Sequence, residues 1–297
     1  MKAASKGRFL LKRVFSLIIP EFIRVFVYPV FRGRSVVNPL HKRTLNALIN
    51  NSKLYERFSE VSLTQDKLLA KLWVERHAPW VKTPTVYRVA RTFSGLDLES
   101  FEGSGFIKTN HSCGYNYFFN KGAKVPPDVV ESFDLALTQK FNEAAVEWSY
   151  KYVRPRIYIE EVVESDLPDI ELRDYKVFVV FGKAKMIQVD CDRFTNHRRS
   201  LFDVEWNELN VEFEYPSYDL KIERPERLTE MLEAAERIAM PFQFCRVDFY
   251  IAKDEIVFGE VSHYPEGGYG RFSPKCFEKE IIDATEEGRL FLDRYYV

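Results

Sequence analysis

Apolar residues recur at two different intervals along the chain, one typical of helices and one of strands. Residues 41–77 carry apolar side chains three and four positions apart, which predicts helices interrupted near Ser62–Thr64, with Thr64 as the N-cap of the second. The same spacing predicts further helices over residues 128–149, 225–240 and 274–292. The N-terminal region, residues 36–80, is therefore expected to be helical.

Runs of β-branched and aromatic residues predict strands in the remainder of the chain. Residues 174–194 predict a hairpin around Gly182-Lys183, and residues 243–265 predict another around the charged turn Ala252–Glu255. Shorter strands are expected within residues 81–90, 104–110, 115–119 and 156–163. Hairpins separated by isolated helices favour an α+β fold with largely antiparallel sheets. The chain contains neither GxGxxG nor GxxxxGK[ST], so two common nucleotide-binding signatures are missing.

The composition is that of a globular protein with no general affinity for nucleic acid. Of the 297 residues, 46% are hydrophobic and 29% are charged, and 43 basic against 44 acidic side chains give a formal net charge of −1. Cys113, Cys191, Cys245 and Cys276 lie far apart, with no CxxC pair. This spacing argues against a zinc site or a disulfide framework and favours a reducing cytoplasm.

The first 34 residues are strongly basic and partly apolar. They contain one acidic residue, Glu21, and eight basic ones, which are Lys2, Lys6, Arg8, Lys12, Arg13, Arg24, Arg32 and Arg34. The apolar run Val14–Ile19 is far shorter than the roughly 20 residues of a membrane span, and no cleavage site follows it, so neither a membrane span nor a signal peptide is predicted. Two alternatives remain open. Either residues 1–34 lie on the anionic inner face of the plasma membrane, or they pack as an ordinary helix on the body.

The last predicted hairpin carries a candidate metal site. Arg246 and Asp248 are two residues apart on one strand, so their side chains share a face, and the returning strand brings Glu260 opposite them. Two carboxylates beside an arginine suit a Mg²⁺ ion that bridges phosphate oxygens. Charges on a sheet face are more often merely solvated. The apolar and aromatic neighbours of this group favour a functional role.

Two lysines also lie inside otherwise apolar strands. Lys108 follows Ile107, and Lys176 lies in the segment DYKVFVV. Because a lysine is seldom buried without a partner, two embedded lysines and two embedded carboxylates together indicate a phosphate–metal arrangement. Glu160 and Glu161 are adjacent in a strand and face opposite ways, so only one of them is expected to point inward.

Several segments occur in an order that resembles one known family. They are TQDKLLAKLW, GFIKTNHSCGYN, RIYIEEVV, DYKVFVVFGKAKMIQVD, CRVDFY and FGEVSHYP. From about Gln65 to Gly270, this order resembles the ATP-grasp superfamily, and specifically its TupA-like branch of teichuronopeptide and polysaccharide biosynthesis. The resemblance implies an ATP-grasp fold whose two lobes, 81–160 and 161–297, enclose ATP. A leader over 1–35 and the helical region 36–80 precede them.

The same resemblance implies roles for individual residues. The implied ATP contacts are Lys67, Lys108, Glu160, Glu161, Val163, Asp174 and Lys176. The implied Mg²⁺ ligands are Asp248 and Glu260, and the catalytic residues would be Arg246 and the Arg198–Arg199 pair, which would together stabilise the developing oxyanion. The basic loop DRFTNHRRSLFD, with Arg193, His197, Arg198 and Arg199, would contact the acidic substrate or its acyl phosphate.

The activity implied by the resemblance is that of an ATP-dependent, ADP-forming ligase. It would join the carboxylate of an acidic glycan or sugar, such as a uronic acid, to the amine of an amino acid through an acyl phosphate. The alternatives are a kinase acting on a sugar hydroxyl and a nucleotide-binding protein without activity. Asp190-Cys191-Asp192 has the DxD form of a glycosyltransferase metal site, but it ends a hairpin without a preceding parallel sheet.

The chain also departs from the family pattern. The phosphate loop reads NHSCG where the family is richer in glycine, Ser262 stands where many members have Asn, and the helical N-terminal region is too short for a separate substrate lobe. His111, His197 and His263 are each expected to make a polar contact, with a general base as the alternative. Cys113 is expected to be a small packing residue.

Overall fold

Two main antiparallel sheets of different size and a small two-stranded one, joined by helices, make up the fold. The computed structural model describes residues 18–139, 141, 143–165, 172–192 and 196–283, and the α+β class expected from the sequence is confirmed. The helices are α1 (Glu21–Phe31), α2 (Leu45–Tyr55), α3 (Ser59–Gln65), α4 (Lys67–His77), α5 (Pro127–Thr138), α6 (Leu228–Ala239) and α7 (Phe277–Asp283). The strands are β1 (Val86–Ala90), β2 (Ser104–Thr109), β3 (Asn116–Asn120), β4 (Ile157–Glu160), β5 (Asp174–Val180), β6 (Lys183–Cys191), β7 (Arg198–Phe202), β8 (Glu212–Phe213), β9 (Phe244–Ala252), β10 (Glu255–Ser262) and β11 (Phe272–Ser273).

The larger sheet contains five strands in the order β10-β9-β5-β6-β7, with every neighbouring pair antiparallel. Both predicted hairpins are confirmed within it. Each is closed by a two-residue turn with positive φ at both positions, Phe181 and Gly182 in the first and Lys253 and Asp254 in the second. Such turns match the right-handed twist of the flanking strands. The first turn lies one residue earlier than predicted, so Lys183 already belongs to β6.

One face of the larger sheet packs on α6 and forms the main core. Val177, Val247 and Phe249 of the central strands are fully buried. Helix α6 lies against β5, β6 and β9, with Met231 and Ile238 buried in the same core. Each such side chain contributes roughly 1.5–3 kcal/mol relative to an exposed one. Because successive side chains of a strand alternate between faces, the other face of these strands is left to the polar residues.

The smaller sheet contains four antiparallel strands in the order β1-β4-β2-β3. Ile107 of β2 and Ile157 and Ile159 of β4 are fully buried, and they pack in one cluster with Phe133 of α5. This cluster is separate from the core beneath the larger sheet. Each sheet therefore has its own apolar core and can position its polar residues independently.

The N-terminal helices break at positions other than those predicted. Asp66 is the N-cap of α4, and its side chain accepts hydrogen bonds from the backbone N–H groups of Leu68 (2.9 Å) and Leu69 (3.4 Å). Thr64, the predicted N-cap, lies within α3, where its hydroxyl donates to the carbonyl of Glu60 (2.7 Å). An aspartate directly before a helix satisfies N–H groups that would otherwise lack partners. The hydroxyl of Thr64 is already used by the preceding turn.

The other predicted helices agree in position but not always in length. The helix predicted over 128–149 ends at Thr138, and two short 3₁₀ segments follow it. The helix predicted over 225–240 is confirmed as α6. The described part of the last helix, α7, ends at Asp283, and residues 284–292 lie outside the described residues.

Helix α1 is the first described element of the basic leader, and residues 1–17 lie outside the described part. The helix is attached to the body by a hydrogen bond from the hydroxyl of Tyr269 to the carbonyl of Val25 (3.0 Å). Just after it, Arg34 forms an ion pair with Glu214 (2.5 Å). Among the described residues, no helix is long and apolar enough to cross a membrane.

Candidate active site

A row of charged side chains crosses the polar face of the larger sheet. Lys176 of β5 lies opposite Asp248 of β9, and Asp248 lies opposite Glu260 of β10. Opposed residues project on the same face, and Arg246, two residues before Asp248, joins them. The predicted arrangement of Arg246, Asp248 and Glu260 is therefore confirmed. Lys67 of α4 extends the row by its contact with Glu260, and we refer to these five residues as the charged row.

Asp248 is the buried centre of the charged row. Its carboxylate accepts hydrogen bonds from Nε and Nη2 of Arg246 (2.7 Å each) and from Nζ of Lys176 (2.8 Å). Lys176 donates a further hydrogen bond to Asp174. Burial lowers the pKa of Lys176, but the charges of Asp248 and Asp174 outweigh this effect and raise it above its ordinary value. Lys176 is therefore a permanent cation held between two carboxylates.

Glu260 is the accessible carboxylate of the row. Its side chain is 35% exposed, and its oxygens lie 3.7 Å from Nη2 of Arg246 and 3.5 Å from Nζ of Lys67. Partial burial raises the pKa of Glu260, but the charges of Lys67, Arg246 and Lys176 outweigh it and lower the pKa to about 2. Glu260 is thus ionised at any physiological pH and reachable from solvent.

The donor set of Asp248 and Glu260 fits a Mg²⁺ ion that arrives with a phosphate ligand. Within the described ranges, no group of three or more His, Cys, Asp or Glu side chains converges as a self-sufficient metal site. Mg²⁺ commonly takes one or two protein carboxylates and completes its octahedron with water and substrate phosphates. Since Asp248 is already shared by Arg246 and Lys176, Glu260 is the more available ligand of the two.

A second cluster lies at the end of β4 in the smaller sheet. Glu160 is buried and forms ion pairs with Lys71 (2.9 Å) and Lys108 (2.5 Å). Lys71 also donates to the carbonyl of Pro84 (2.6 Å). The close pairing of β2 with β4 depends on Gly105, because a Cβ there would lie 2.6 Å from Ile159 and 2.9 Å from the carbonyl of Glu160. We refer to Lys71, Lys108 and Glu160 as the lysine–glutamate cluster.

Glu161 faces away from this cluster, as predicted for adjacent acids in a strand. Its carboxylate accepts a hydrogen bond from the N–H of Thr85 (2.9 Å) and lies 3.3 Å from Nζ of Lys82. The hydrogen bond from Thr85 lowers the pKa of Glu161 below its ordinary value. Glu160 is therefore the inward member of the pair.

Helix α4 connects the charged row to the lysine–glutamate cluster. Lys67 and Lys71 are four residues apart, so they lie on one side of the helix in successive turns. Lys67 contacts Glu260 of the larger sheet, and Lys71 contacts Glu160 of the smaller one. Sequence reasoning missed Lys71, although its spacing from Lys67 is a signal that could have found it.

The loop after β2 is anchored at its start. The side chain of Asn110 accepts from the N–H of Arg156 (2.7 Å) and donates to Asp66 (2.9 Å), which fixes the loop to the beginning of α4. Nζ of Lys67 donates to the carbonyl of Ser112 (2.6 Å). Cys113 is exposed rather than the packing residue expected from the sequence. The loop therefore presents its tip beside Lys67.

Arg199 is committed to a buried ion pair. Its Nε lies 2.6 Å from Asp190, and its Nη1 donates to the carbonyl of Phe213 (3.1 Å). Burial raises the pKa of Asp190, but the charge of Arg199 outweighs this and holds it well below its usual range. Because Asp190 is buried and paired, the Asp190-Cys191-Asp192 sequence does not form an accessible DxD site.

The structure does not bring Arg198 and Arg199 together. Arg199 lies opposite Asp190 and Arg198 opposite Cys191, so the two arginines project on different faces of the sheet. Arg198 approaches Asp219 at 4.0 Å. Arg193, the other arginine of the predicted basic loop, lies outside the described residues.

The three candidate histidines make polar contacts within the protein. His263 is buried, its Nε2 lies 2.7 Å from the hydroxyl of Thr64, and burial lowers its pKa to about 3. His111 is also buried, with Nε2 3.0 Å from the carbonyl of Ala136. His197 lies 3.3 Å from Asp190. These contacts favour the expected polar role over that of a general base.

The remaining predicted ATP contacts lie just after β4 and at the start of β5. Val163 is half-buried in the segment just after β4. Asp174 begins β5 and is buried beside Lys176. Both therefore lie on the chain that leads from the smaller to the larger sheet.

A cavity of about 620 Å³ lies between residues 35–47 and residues 269–278. Three cationic side chains, Arg43, Arg271 and Lys275, line it together with His41. The lining acid, Glu278, accepts a hydrogen bond from the side chain of Asn46 (2.9 Å). None of the lining residues belongs to the charged row or to the lysine–glutamate cluster. The excess of basic groups suits an anionic molecule.

Comparison with known proteins gives one family match and several distant structural matches. The family model of TupA-like ATP-grasp proteins matches residues 47–285. D-alanine–D-alanine ligase from Bacillus anthracis in complex with ATP is 15% identical, with a TM-score of 0.42 over 79% of this chain and 69% of that one. The ATP-grasp ligase PsnB in complex with a minimal precursor is 10% identical, with a TM-score of 0.38 over 68% and 52% of the two chains. No curated protein matches the sequence.

Proposed function

This chain belongs to the TupA-like ATP-grasp family, and on that premise we propose that it is an ATP-dependent ligase that joins a carboxylate to an amine. The observation that carries the proposal is the charged row, in which an accessible carboxylate, Glu260, lies beside a buried one, Asp248, among three cations. Helix α4 adds a lysine to this row and a lysine to the cluster around Glu160. The combination favours a polyphosphate bound between the two sheets.

In this proposal the nucleotide lies along α4. Lys67 and Lys108 contact its phosphates, because their side chains are 17% and 25% exposed and can exchange their present partners. Glu160 and the backbone from Glu161 to Val163 hold the adenine, and Asp174 approaches the ribose. Lys176 is already bonded to Asp174 and Asp248. Its task is therefore to fix Asp248, and it acts on the phosphates through its charge.

Asp248 and Glu260 are the residues that would hold Mg²⁺. When bound with ATP, the ion would neutralise charge on the transferring phosphoryl group. The carboxylate of Asp248 is kept in one orientation by its hydrogen bonds to Arg246. Glu260 remains ionised because its pKa is about 2. These residues thus provide a fixed ligand and an adjustable one.

The proposed reaction proceeds in two steps. An oxygen of the substrate carboxylate attacks the γ-phosphorus of ATP, the bond from that phosphorus to the β–γ bridging oxygen breaks, and ADP leaves. The amine nitrogen then attacks the carbonyl carbon of the acyl phosphate, inorganic phosphate leaves, and the nitrogen loses a proton. Arg246, whose guanidinium lies between Asp248 and Glu260, stabilises the developing negative charge. Arg199 instead stabilises the pairing of β7 with β6 through its ion pair with Asp190.

We further propose that the carboxylate substrate is an acidic glycan or sugar and that the amine is an amino acid, as in cell-surface polysaccharide biosynthesis. The basic cavity lined by His41, Arg43, Arg271 and Lys275 supports an anionic substrate. Its second wall, residues 269–278, follows the strand that carries Glu260.

The test is ADP release by the purified full chain with Mg²⁺, ATP and a panel of uronic acids combined with amino acids. The expected result is ADP formation that requires both substrates for full rate, with a product mass equal to their sum minus water. Hydroxylamine in place of the amine is expected to give a hydroxamate. Absence of ADP formation with every pair would contradict the proposal.

A kinase is distinguished by the same assay. A kinase releases ADP without hydroxamate or amide, and its product is heavier by a phosphoryl group. The variant Glu260→Gln serves as the inactive control, and Glu255→Gln is matched to it. Glu255 lies on the same strand but is exposed and pairs with Lys82 (3.5 Å) outside the charged row.

A further inference from the structure

The outward face of α1 is apolar, which reverses the usual arrangement of a surface helix. Its residues are Phe22, Ile23, Phe26, Val27, Val30 and Phe31, which we call the α1 face. Phe22 and Ile23 are each 47% exposed, and Phe31 is 73% exposed. At about 100° per residue, all six fall within one half of the helix. The charged residue Arg24 is instead buried against the body.

Basic residues flank this face along the sequence, and the acid on the helix is paired within the protein. Glu21, the acidic residue of α1, pairs with Arg57 (2.8 Å) and lies 3.7 Å from Arg24. The 17 residues before the described part contain Lys2, Lys6, Arg8, Lys12 and Arg13 and no acidic residue. Arg32 follows the helix directly. An exposed apolar strip is therefore flanked by cations on both sides in sequence.

We propose that the α1 face docks the protein on the surface of an anionic lipid bilayer. Large apolar side chains on one side of a short helix enter the boundary between headgroups and acyl chains, and flanking lysines and arginines bind anionic headgroups. Both requirements are met here, within the basic leader of residues 1–34 for which the sequence left membrane contact open. Ile18, just before the helix, is also 73% exposed.

Size and charge disfavour a second copy of the chain as the occupant. A helix of 11 residues is about 16 Å long, so its outer face alone falls well short of the roughly 800 Å² per partner that a stable interface buries. Two copies joined through this face would also bring their basic leaders together. Like charges repel under these conditions, whereas an anionic lipid surface attracts both.

The test is sedimentation of the full chain with vesicles of phosphatidylcholine containing about one-third phosphatidylglycerol, compared with pure phosphatidylcholine. The triple variant Phe22→Ser, Val30→Ser, Phe31→Ser is expected to bind roughly tenfold or more weakly. The matched control is Leu135→Ser, Leu220→Ser, Met240→Ser, which removes three comparably exposed apolar residues elsewhere. ATP-dependent activity in solution is expected to be equal in all three proteins, since none of these residues lies in either charged cluster.

Selective loss of vesicle binding in the α1 variant, together with weaker binding to neutral vesicles, supports the proposal. Equal binding by wild type and the α1 variant would overturn it, as would equal binding to neutral and anionic vesicles. Analytical ultracentrifugation without lipid completes the test. A dimer that dissociates only in the α1 variant would assign the face to a second copy and would also overturn the proposal.

Discussion

Glu260 and Asp248 are neighbouring carboxylates with different surroundings. Glu260 is about one-third exposed and makes only long ion pairs, at 3.5 and 3.7 Å. Asp248 is buried and accepts three short hydrogen bonds from Arg246 and Lys176. Loss of the Glu260 carboxylate is therefore expected to affect mainly the reaction. Loss of the Asp248 carboxylate is expected to affect both the reaction and the stability of the fold.

Glu260→Gln is expected to lower the rate of ADP formation roughly 100-fold or more, because charge stabilisation by a metal ion is worth several kcal/mol and about 1.4 kcal/mol is a factor of ten. The free energy of unfolding is expected to fall less than in Asp248→Asn, because Glu260 is about one-third exposed and solvent screens its long ion pairs. Steady-state kinetics and urea denaturation measure the two quantities. If Glu260→Gln and the control Glu255→Gln both kept the wild-type rate, Glu260 would not be a metal ligand.

Asp248→Asn is expected to lower the free energy of unfolding by roughly 3–5 kcal/mol, because Arg246 and Lys176 would remain as buried charges without the carboxylate between them. The midpoint of urea denaturation measures this change. A loss below about 1 kcal/mol, on the scale of a surface pair, would show that the charges of Arg246 and Lys176 are satisfied in another way.

Site residues on strands could be predicted where the alternation of side chains alone determines on which face of the sheet a residue lies. The shared face of Arg246, Asp248 and Glu260 follows from a spacing of two and one hairpin. The same rule, applied to Arg198 and Arg199, would have separated them, since adjacent residues of a strand face opposite ways. Lys71 was not found because its importance depends on Glu160, which is distant in sequence.

Helix α2 buries two ionisable groups one turn apart. Lys53 is fully buried, with Nζ 2.6 Å from the carbonyl of Gly267 and 4.7 Å from the centre of the Tyr269 ring. Glu56, its C-cap, accepts a hydrogen bond from the N–H of Gln243 (2.7 Å). Burial raises the pKa of Glu56 to about 7, despite the opposing effects of that hydrogen bond and of Lys42.

The raised pKa of Glu56 predicts the direction in which the free energy of unfolding changes with pH. Between its ordinary value of 4.5 and about 7, the folded protein keeps a proton that the unfolded chain has released, so the free energy of unfolding falls as pH rises. Glu56→Gln keeps the acceptor oxygen and removes this titration. Between these two pH values, the free energy of unfolding of the wild type is expected to fall by roughly 1–3 kcal/mol more than that of the variant. Parallel curves of denaturation midpoint against pH would contradict the expectation.

Hairpins were the elements best predicted from sequence, and helix ends were the least. The two hairpins of the larger sheet have alternating side chains and short turns, which are local signals. The start of α4 depends instead on Asp66, which is held by a hydrogen bond from Asn110 44 residues later. The premature end of α5 at Thr138 likewise had no local signal that we recognised.

At the scale of the whole molecule, two sheets with separate cores are connected through α4. The larger sheet carries the charged row and the smaller one carries Glu160, and each cluster takes one lysine from the same helix. The family and its fold were predictable because the order of motifs extends over most of the chain, and the family match covers residues 47–285. The positions of the basic cavity and of the apolar face of α1 could not be predicted from the sequence, because both depend on which side of a helix packs against the body.

The central claim, transfer of a phosphoryl group to a carboxylate followed by attack of an amine, is tested most directly by isotope transfer. A substrate acid labelled with ¹⁸O in its carboxylate is converted by the full chain with ATP, Mg²⁺ and the amine, and the released inorganic phosphate is analysed by mass spectrometry. The account predicts one ¹⁸O atom in each phosphate, because the oxygen that attacks the γ-phosphorus leaves with it. Conversion of the acid with unlabelled phosphate, or with both labelled oxygens retained in the product, would contradict it.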